Sequence, residues 1–354
     1  MTYDVLVAGA SFAGLALASR LRGRVLVVDQ HPPGAHQTSA CGAPLQLLRA
    51  MGAEEAVQQV HDRIVIHTVY RTYRWDLGRV PFCTFDYRAF CESALARTDV
   101  EFVQAVVSGL DGEGVQTSRG SYRARLVADC TGWRAALASS VVPSWPMRPW
   151  RAFGIETEVQ SGFESGLHFY FWPEVAPDGY AWVFPCGDRV RLGVLSYRGR
   201  TKIRREVNRF AERLGLRPAA YHGGYLGIGL GDPVVGDVFV VGDAAGHCLP
   251  LTGEGIRSAV HAGWLVGDLF RGVLEGRWTL GWAKHVYRTY VARQRWSVKF
   301  LMMATRAALR LPPVWLDRVV GTFLAPRGQR AFLRRYLATF PPIRAGLGDW
   351  YTGA

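Results

Sequence analysis

The stretch Tyr3-Asp4-Val5-Leu6-Val7-Ala8-Gly9-Ala10-Ser11-Phe12-Ala13-Gly14 decides the fold of this chain. Tyr3 to Ala8 is a short buried-strand pattern that runs directly into a glycine turn, and the LALASRL around it has the composition of a helix. A second apolar run, Val25 to Val28, ends in Asp29, 20 residues after Gly9. Strand, glycine turn, helix and acid-ended strand together make a βαβ unit with a GxSxxG fingerprint. Gly9 permits the tight turn and Gly14 lets helix and sheet pack closely. The helix start offers free N–H groups and a positive dipole end to a pyrophosphate, and the Asp29 carboxylate can accept hydrogen bonds from a ribose. Gly9, Ser11, Phe12, Ala13, Gly14, Asp29 and the adjoining Gln30 are therefore the expected nucleotide contacts. Ser11 departs from the pattern, because its Cβ narrows the approach that a middle glycine would leave open.

A second segment, Val235 to Gly263, reads as a strand ending at Gly242-Asp243, a loop, and a helix that starts near Gly253. Asp243 suits a ribityl or ribose hydroxyl. The run Thr252-Gly253-Glu254-Gly255-Ile256 presents backbone N–H groups at a helix start, which would stabilise an anionic reduced flavin. A third piece, Val127 to Arg134 (VADCTGWR), lies between the two.

These three motifs, in this order, resemble the signatures of FAD enzymes related to the aromatic hydroxylases. The resemblance covers residues 3 to about 265. It implies FAD and a para-hydroxybenzoate-hydroxylase-like α/β fold: a Rossmann-type FAD-binding domain, an antiparallel-sheet substrate domain and a C-terminal helical region. It also assigns Asp129, Gly132, Gly242, Asp243, Pro250, Gly253, Glu254, Gly255 and Ile256 to the cofactor. The expected division is a discontinuous FAD domain (residues 1–60, 81–145 and 232–280), a substrate domain (61–80 and 146–231) and a basic helical region (281–354).

Within that superfamily Tyr180-Ala181-Trp182-Val183-Phe184-Pro185 resembles the YxWxFP motif of the geranylgeranyl reductase family, whose members saturate isoprenoid double bonds. The residues agree with it physically. Side chains alternate along a strand, so Tyr180, Trp182 and Phe184 share one face while Ala181 and Val183 take the other. A row of aromatic rings can hold a long hydrocarbon and stabilise an electron-poor carbon through its π faces. GLHFYFW (Gly166 to Trp172) alternates in the same way, and RVRLGVLSY (Arg189 to Tyr197) is a further strand of the same antiparallel sheet. Ser39-Ala40-Cys41-Gly42 resembles the family's Cys-Gly element near the flavin, which places Cys41 and Gly42 at the site, and Arg88 resembles an arginine aimed at the FAD phosphates. Tyr180, Trp182, Phe184 and Cys41 are the expected catalytic-site residues, with Tyr180 or water as the proton source.

Composition restricts the alternatives. The chain is 49% hydrophobic and 20% charged, which is globular. Of the net +13, residues 281–354 carry +11: thirteen Lys/Arg against Asp317 and Asp349. Helices in which Arg alternates with Leu, Met, Phe and Trp can lie in an anionic bilayer interface or pack on the body of the protein. No uninterrupted apolar run reaches the 18 or so residues of a spanning helix. Six scattered cysteines without a CxxC pair, and a first strand already at Tyr3, fit a reduced cytoplasm, with peripheral attachment to the membrane's inner face. No HxxxH or Cys/His spacing suggests a metal, and pI alone is weak support for nucleic acid. A second GxGxxG unit for NADPH is missing, so the electron donor is either transiently bound NADPH or a protein such as ferredoxin. The competing functions are an aromatic or polyketide monooxygenase on the same fold and a flavin-dependent halogenase. The halogenase reading suffers because its active-site lysine should precede Lys202, the first lysine of this chain.

Overall fold

In the computed structural model, which describes residues 2–143, 145, 150–323 and 326–341, the βαβ unit is the centre of an eight-stranded sheet. Thr2–Ala8 lies between Gly120–Asp129 and Val25–Asp29. Val238–Val240 continues the sheet on one side and Glu101–Gln104 on the other, all four contacts parallel. Val-rich runs buried on both faces suit a parallel sheet. One face is covered by Phe12–Ala18, Ile256–Leu274 and Leu280–Ala308, with Val5, Val7, Leu17, Leu265, Phe270 and Tyr287 in one core cluster. The other face packs on Ala136–Val141.

The second sheet has seven strands in the order His222–Ile228, Trp150–Gln160, Arg189–Ser196, Gly179–Pro185, Leu167–Tyr170, Arg63–His67, Thr72–Asp76. Its contacts are antiparallel except Leu167–Tyr170 with Arg63–His67, which is parallel, so the sheet is mixed rather than purely antiparallel. A three-stranded sheet absent from the sequence reading, Gly42–Pro44, Phe82–Phe85 and Val57–His61, joins the two large sheets. It is pinned by His61, whose Nδ1 accepts from the Gly166 N–H (3.1 Å) while Nε2 faces the Pro185 carbonyl (3.2 Å).

The C-terminal region is helical where described: Leu280–Ala308, Pro313–Phe323 and Pro326–Leu337. Residues 342–354 of the expected basic region lie outside the described residues. Two polar anchors hold these helices. Asp317 accepts from Thr68 Oγ1 (2.6 Å) and Tyr73 Oη (3.0 Å), and the buried Arg257, paired with Glu254 (2.8 Å), donates to the carbonyls of Leu337 and Thr339. Among the described residues no helix is long and apolar enough to cross a membrane.

Candidate functional site

A cavity of about 910 Å3 runs from the glycine turn, between the two large sheets, to the C-terminal helices. Its first end is backbone. Gly9 has φ +110°, and a Cβ there would sit 2.2 Å from the Cys130 carbonyl, so only glycine fits. Gly9, Ser11, Phe12 and Ala13 line the cavity, as do Asp29 and Gln30 at the end of the second strand. The Asp29 carboxylate accepts from the N–H groups of Ala10 (2.7 Å) and His31 (2.9 Å), which fixes it at the rim. Opposite, Gly242, Asp243, Gly253, Glu254, Gly255 and Ile256 line the cavity at the start of Ile256–Leu274, whose N-cap Gly255 provides no side-chain cap. Glu254 turns its carboxylate to Arg257, so its contribution at the cavity is main chain.

Four expected contacts do not reach the cavity lining. Gly14 is buried in the helix, where a Cβ would lie 1.9 Å from the Gly9 carbonyl; its role is the close packing inferred from the motif. Asp129 is fully buried, and its oxygens accept from Thr131 N and Oγ1 and from the N–H groups of Leu137 and Ala138 at 2.6–3.0 Å. It caps a helix, and burial raises its pKa. Arg88 is exposed outside the lining, while its neighbour Tyr87 faces the cavity and donates to Ser11 Oγ (2.9 Å). Pro250 is buried in the loop beside the lining residue Leu251. Gly132 lines the cavity.

The middle of the cavity is the aromatic wall. Tyr180, Trp182 and Phe184 face it, while Ala181 and Val183 pack with Val207 and Phe210 behind the sheet. Leu167, Phe169 and Phe171 extend the wall, with Phe169 at 5.5 Å from Tyr180 and 5.4 Å from Phe184 between centroids. Trp182 lies flat because Gly193, its cross-strand partner, has no side chain: a Cβ there would be 2.2 Å from the indole. Tyr180 donates to the Thr252 carbonyl and thereby ties the wall to the loop of the cofactor end. Burial pushes its pKa up, so the hydroxyl proton is held there rather than offered to the cavity. Cys41, at φ +53°, lines the cavity beside Gly42; its Sγ donates to the Ser39 carbonyl (3.3 Å), and burial raises the thiol pKa.

The far end is built by side chains that sequence reasoning left unassigned. Ile64, Ile66 and Trp75 come from the hairpin of Arg63–His67 and Thr72–Asp76, and Phe300, Ala304, Val320 and Phe332 from the C-terminal helices. Glu156 was also missed. It is buried yet lines the cavity, and it accepts from Trp182 Nε1 (3.0 Å). The available signal was a pair of acids, Glu156 and Glu158, two residues apart and therefore on one face of the strand Trp150–Gln160.

A parallel sheet is laid against a wall-forming mixed sheet, with a cavity between them, and this fold is shared with solved structures. Solved structures with this fold include a geranylgeranyl bacteriochlorophyll reductase-like protein of Thermoplasma acidophilum, at TM-score 0.80 and 18% identity over 96% of this chain and 97% of that one. They also include p-nitrophenol 4-monooxygenase of Pseudomonas putida, at TM-score 0.75 and 16% identity over 95% and 98%. In sequence the chain is similar to digeranylgeranylglycerophospholipid reductase 2 of Methanothermobacter thermautotrophicus, 30% identical over 210 residues, 52% of this chain and 48% of that protein. The matched stretch thus spans about half the length of that relative. No family model matches the chain. The reductase resemblance read from the motifs is the one these sequences show.

Proposed function

We propose that this protein is an FAD-dependent reductase that saturates carbon–carbon double bonds in the isoprenoid chain of a lipid. The observation that carries the reading is the continuity of one cavity from the glycine turn through the Tyr180–Trp182–Phe184 wall to an apolar tunnel. Its cofactor end fits FAD by shape and donor chemistry: a turn where Gly9 alone fits, an acid at the strand end, and main-chain N–H groups at a second helix start. Gly9 to Ala13 would hold the pyrophosphate, Asp29 a ribose, and Gly253 to Ile256 the ring edge. Bound there, FAD would supply hydride to one alkene carbon.

The chain's own residues supply the rest. Phe169, Trp182 and Phe184 hold the hydrocarbon against the cofactor end and exclude water, and their π faces favour positive character at the more substituted carbon. Binding along the tunnel fixes which bond meets the reacting face. The monooxygenase-type neighbours share the fold, but the polar atoms of the aromatic strand itself are bound within the protein, Tyr180 Oη to Thr252 and Trp182 Nε1 to Glu156. That favours a hydrocarbon over a phenol. NADPH or a ferredoxin-like protein would reload the electrons.

Peripheral attachment to an anionic bilayer belongs to the same reading. Trp296 (78% exposed), Phe300 (61%) and Met303 recur along one face of Leu280–Ala308, and Trp315 and Val319 along Pro313–Phe323. Phe300 and Val319 also line the cavity, so this apolar patch is continuous with the tunnel. Lys299 and Arg318 lie over the rings of Trp296 and Trp315, a placement suited to the lipid headgroup boundary.

The test is anaerobic. Protein loaded with FAD and chemically reduced should be reoxidised by a prenyl lipid with formation of the saturated chain. Reoxidation only by oxygen, with hydroxylation of an added phenol, would replace this reading with the monooxygenase.

A further inference from the structure

A transverse row of cross-strand neighbours runs over the wall sheet. Ile66 pairs with Phe169, Phe169 with Trp182, Trp182 with Gly193, Gly193 with Glu156, and Glu156 with His222 on the edge strand. The row starts in the apolar tunnel and ends where His222 is 28% exposed. Within it Glu156 Oε1 accepts from His222 Nε2 at 2.7 Å and from Gln37 Nε2 at 3.3 Å, while Oε2 faces Trp182 Nε1. Glu156 is 3% exposed and faces the cavity. A buried carboxyl aimed into an apolar tunnel and joined to a solvent-edge imidazole is costly unless it is used.

Saturating a double bond consumes a proton for every hydride, and the tunnel wall offers few sources. The Tyr180 hydroxyl is donated to Thr252 and the Cys41 thiol to Ser39. We infer that His222 and Glu156 form the proton inlet of the tunnel. The inference rests on the reductase reading. FAD held at the cofactor end would supply hydride to one carbon of the double bond; the Glu156 O–H bond breaks as its proton passes to the neighbouring carbon, which binds it with the π electron pair. The carboxylate left behind is reprotonated by His222, which takes its proton from water. The other titratable groups around Glu156 are Arg191, Glu158, Cys186 and Cys41. Arg191 is bound to Glu158 (3.0 Å), which leaves His222 as the exchanging partner of Glu156.

The experiment compares wild type, Glu156→Gln and His222→Gln as the full chain. Gln keeps the shape and the hydrogen bond to Trp182, so FAD uptake and lipid binding should be retained. Single-turnover reoxidation of the reduced, FAD-loaded protein by prenyl lipid should fall about 10²–10⁴-fold in Glu156→Gln. In His222→Gln it should fall less, and its pH profile should differ from that of wild type. Infrared difference spectra of wild type against Glu156→Gln, taken without FAD or lipid, give a second readout: a carboxyl band that is lost in Glu156→Gln and shifts when His222 is replaced by Gln. Reoxidation of Glu156→Gln within about twofold of wild type, with an unchanged pH profile, would overturn the inlet. If prenyl lipid fails to reoxidise wild type, the reductase reading falls instead. The infrared difference band then decides the inlet alone: its shift in His222→Gln supports the coupling of Glu156 to His222, and an unmoved band ends the proposal.

Discussion

The two ends of the cavity are built by opposite means. At the glycine-turn end the lining is main-chain N–H groups, glycines and the acids Asp29 and Asp243, all from short contiguous segments such as Gly9 to Ala13 and Gly253 to Ile256. At the tunnel end they are side chains from the hairpin, the wall sheet and three C-terminal helices, brought together by Asp317 and Arg257. A backbone site tolerates almost no added atom, whereas a side-chain site can be reshaped. Related folds can therefore hold one cofactor while their substrate ends differ.

That contrast can be broken by adding atoms at each end. Gly9→Val meets both a positive φ and the Cys130 carbonyl, so it should cost about 3 kcal/mol or more and abolish flavin uptake, read by thermal melting and FAD titration. Gly193→Leu displaces the Trp182 indole and meets the Ile155 carbonyl, 2.6 Å from an added Cβ. It should cost about 3 kcal/mol, yet keep the flavin and lose lipid binding. Loss of flavin in both variants would erase the distinction between the two ends.

The junction of the sheets carries the next effect. Burial, which penalises the charged imidazolium, lowers the His61 pKa from 6.5 to about 4, with His168 pushing the same way. The folded value lies below the unfolded one, so the unfolded chain binds more protons in that window. Stability should fall by about 3 kcal/mol as pH drops from 6.5 to 4. His61→Gln should flatten the dependence of melting temperature on pH across that range. An unchanged slope would remove His61 as its origin.

At the tunnel end, Val320→Trp narrows the far segment without touching the glycine turn. Flavin affinity should stay level while turnover of a long prenyl chain falls roughly 10–200-fold, compared with a short one. The smallest effect on the fold belongs to the exposed patch. Trp296→Ser with Trp315→Ser should change stability within about 0.5 kcal/mol, yet reduce flotation with anionic vesicles. Equal flotation of parent and variant would remove the patch as the bilayer contact.

Legibility follows the same division. The turn, the acid at Asp29 and the late loop were readable because each is a local pattern with a local physical cause. The alternation of Tyr180, Trp182 and Phe184 was readable because strand geometry fixes which face they share. The position of Asp129 outside the lining was not legible, because a buried acid that caps a helix and one that meets a ribose look alike in a string. Nor was that of Arg88, because one step along a helix start separates the surface from the lining residue Tyr87. The tunnel's roof was hidden in the basic C-terminal region, whose Arg and Leu pattern suited either a membrane or a packed helix. Only the docking of Asp317 on Thr68, 249 residues away, shows that one region serves both the tunnel and an exposed apolar surface.

The central claim is that flavin and lipid chain meet in one cavity, and optical titration tests it most directly. Full-length protein should take up FAD, turn yellow, and show a saturable change in flavin absorbance as a prenyl lipid is added, with Val320→Trp shifting that titration for long chains. Protein that stays colourless with excess FAD, or binds the lipid with the flavin spectrum unmoved, would contradict the account.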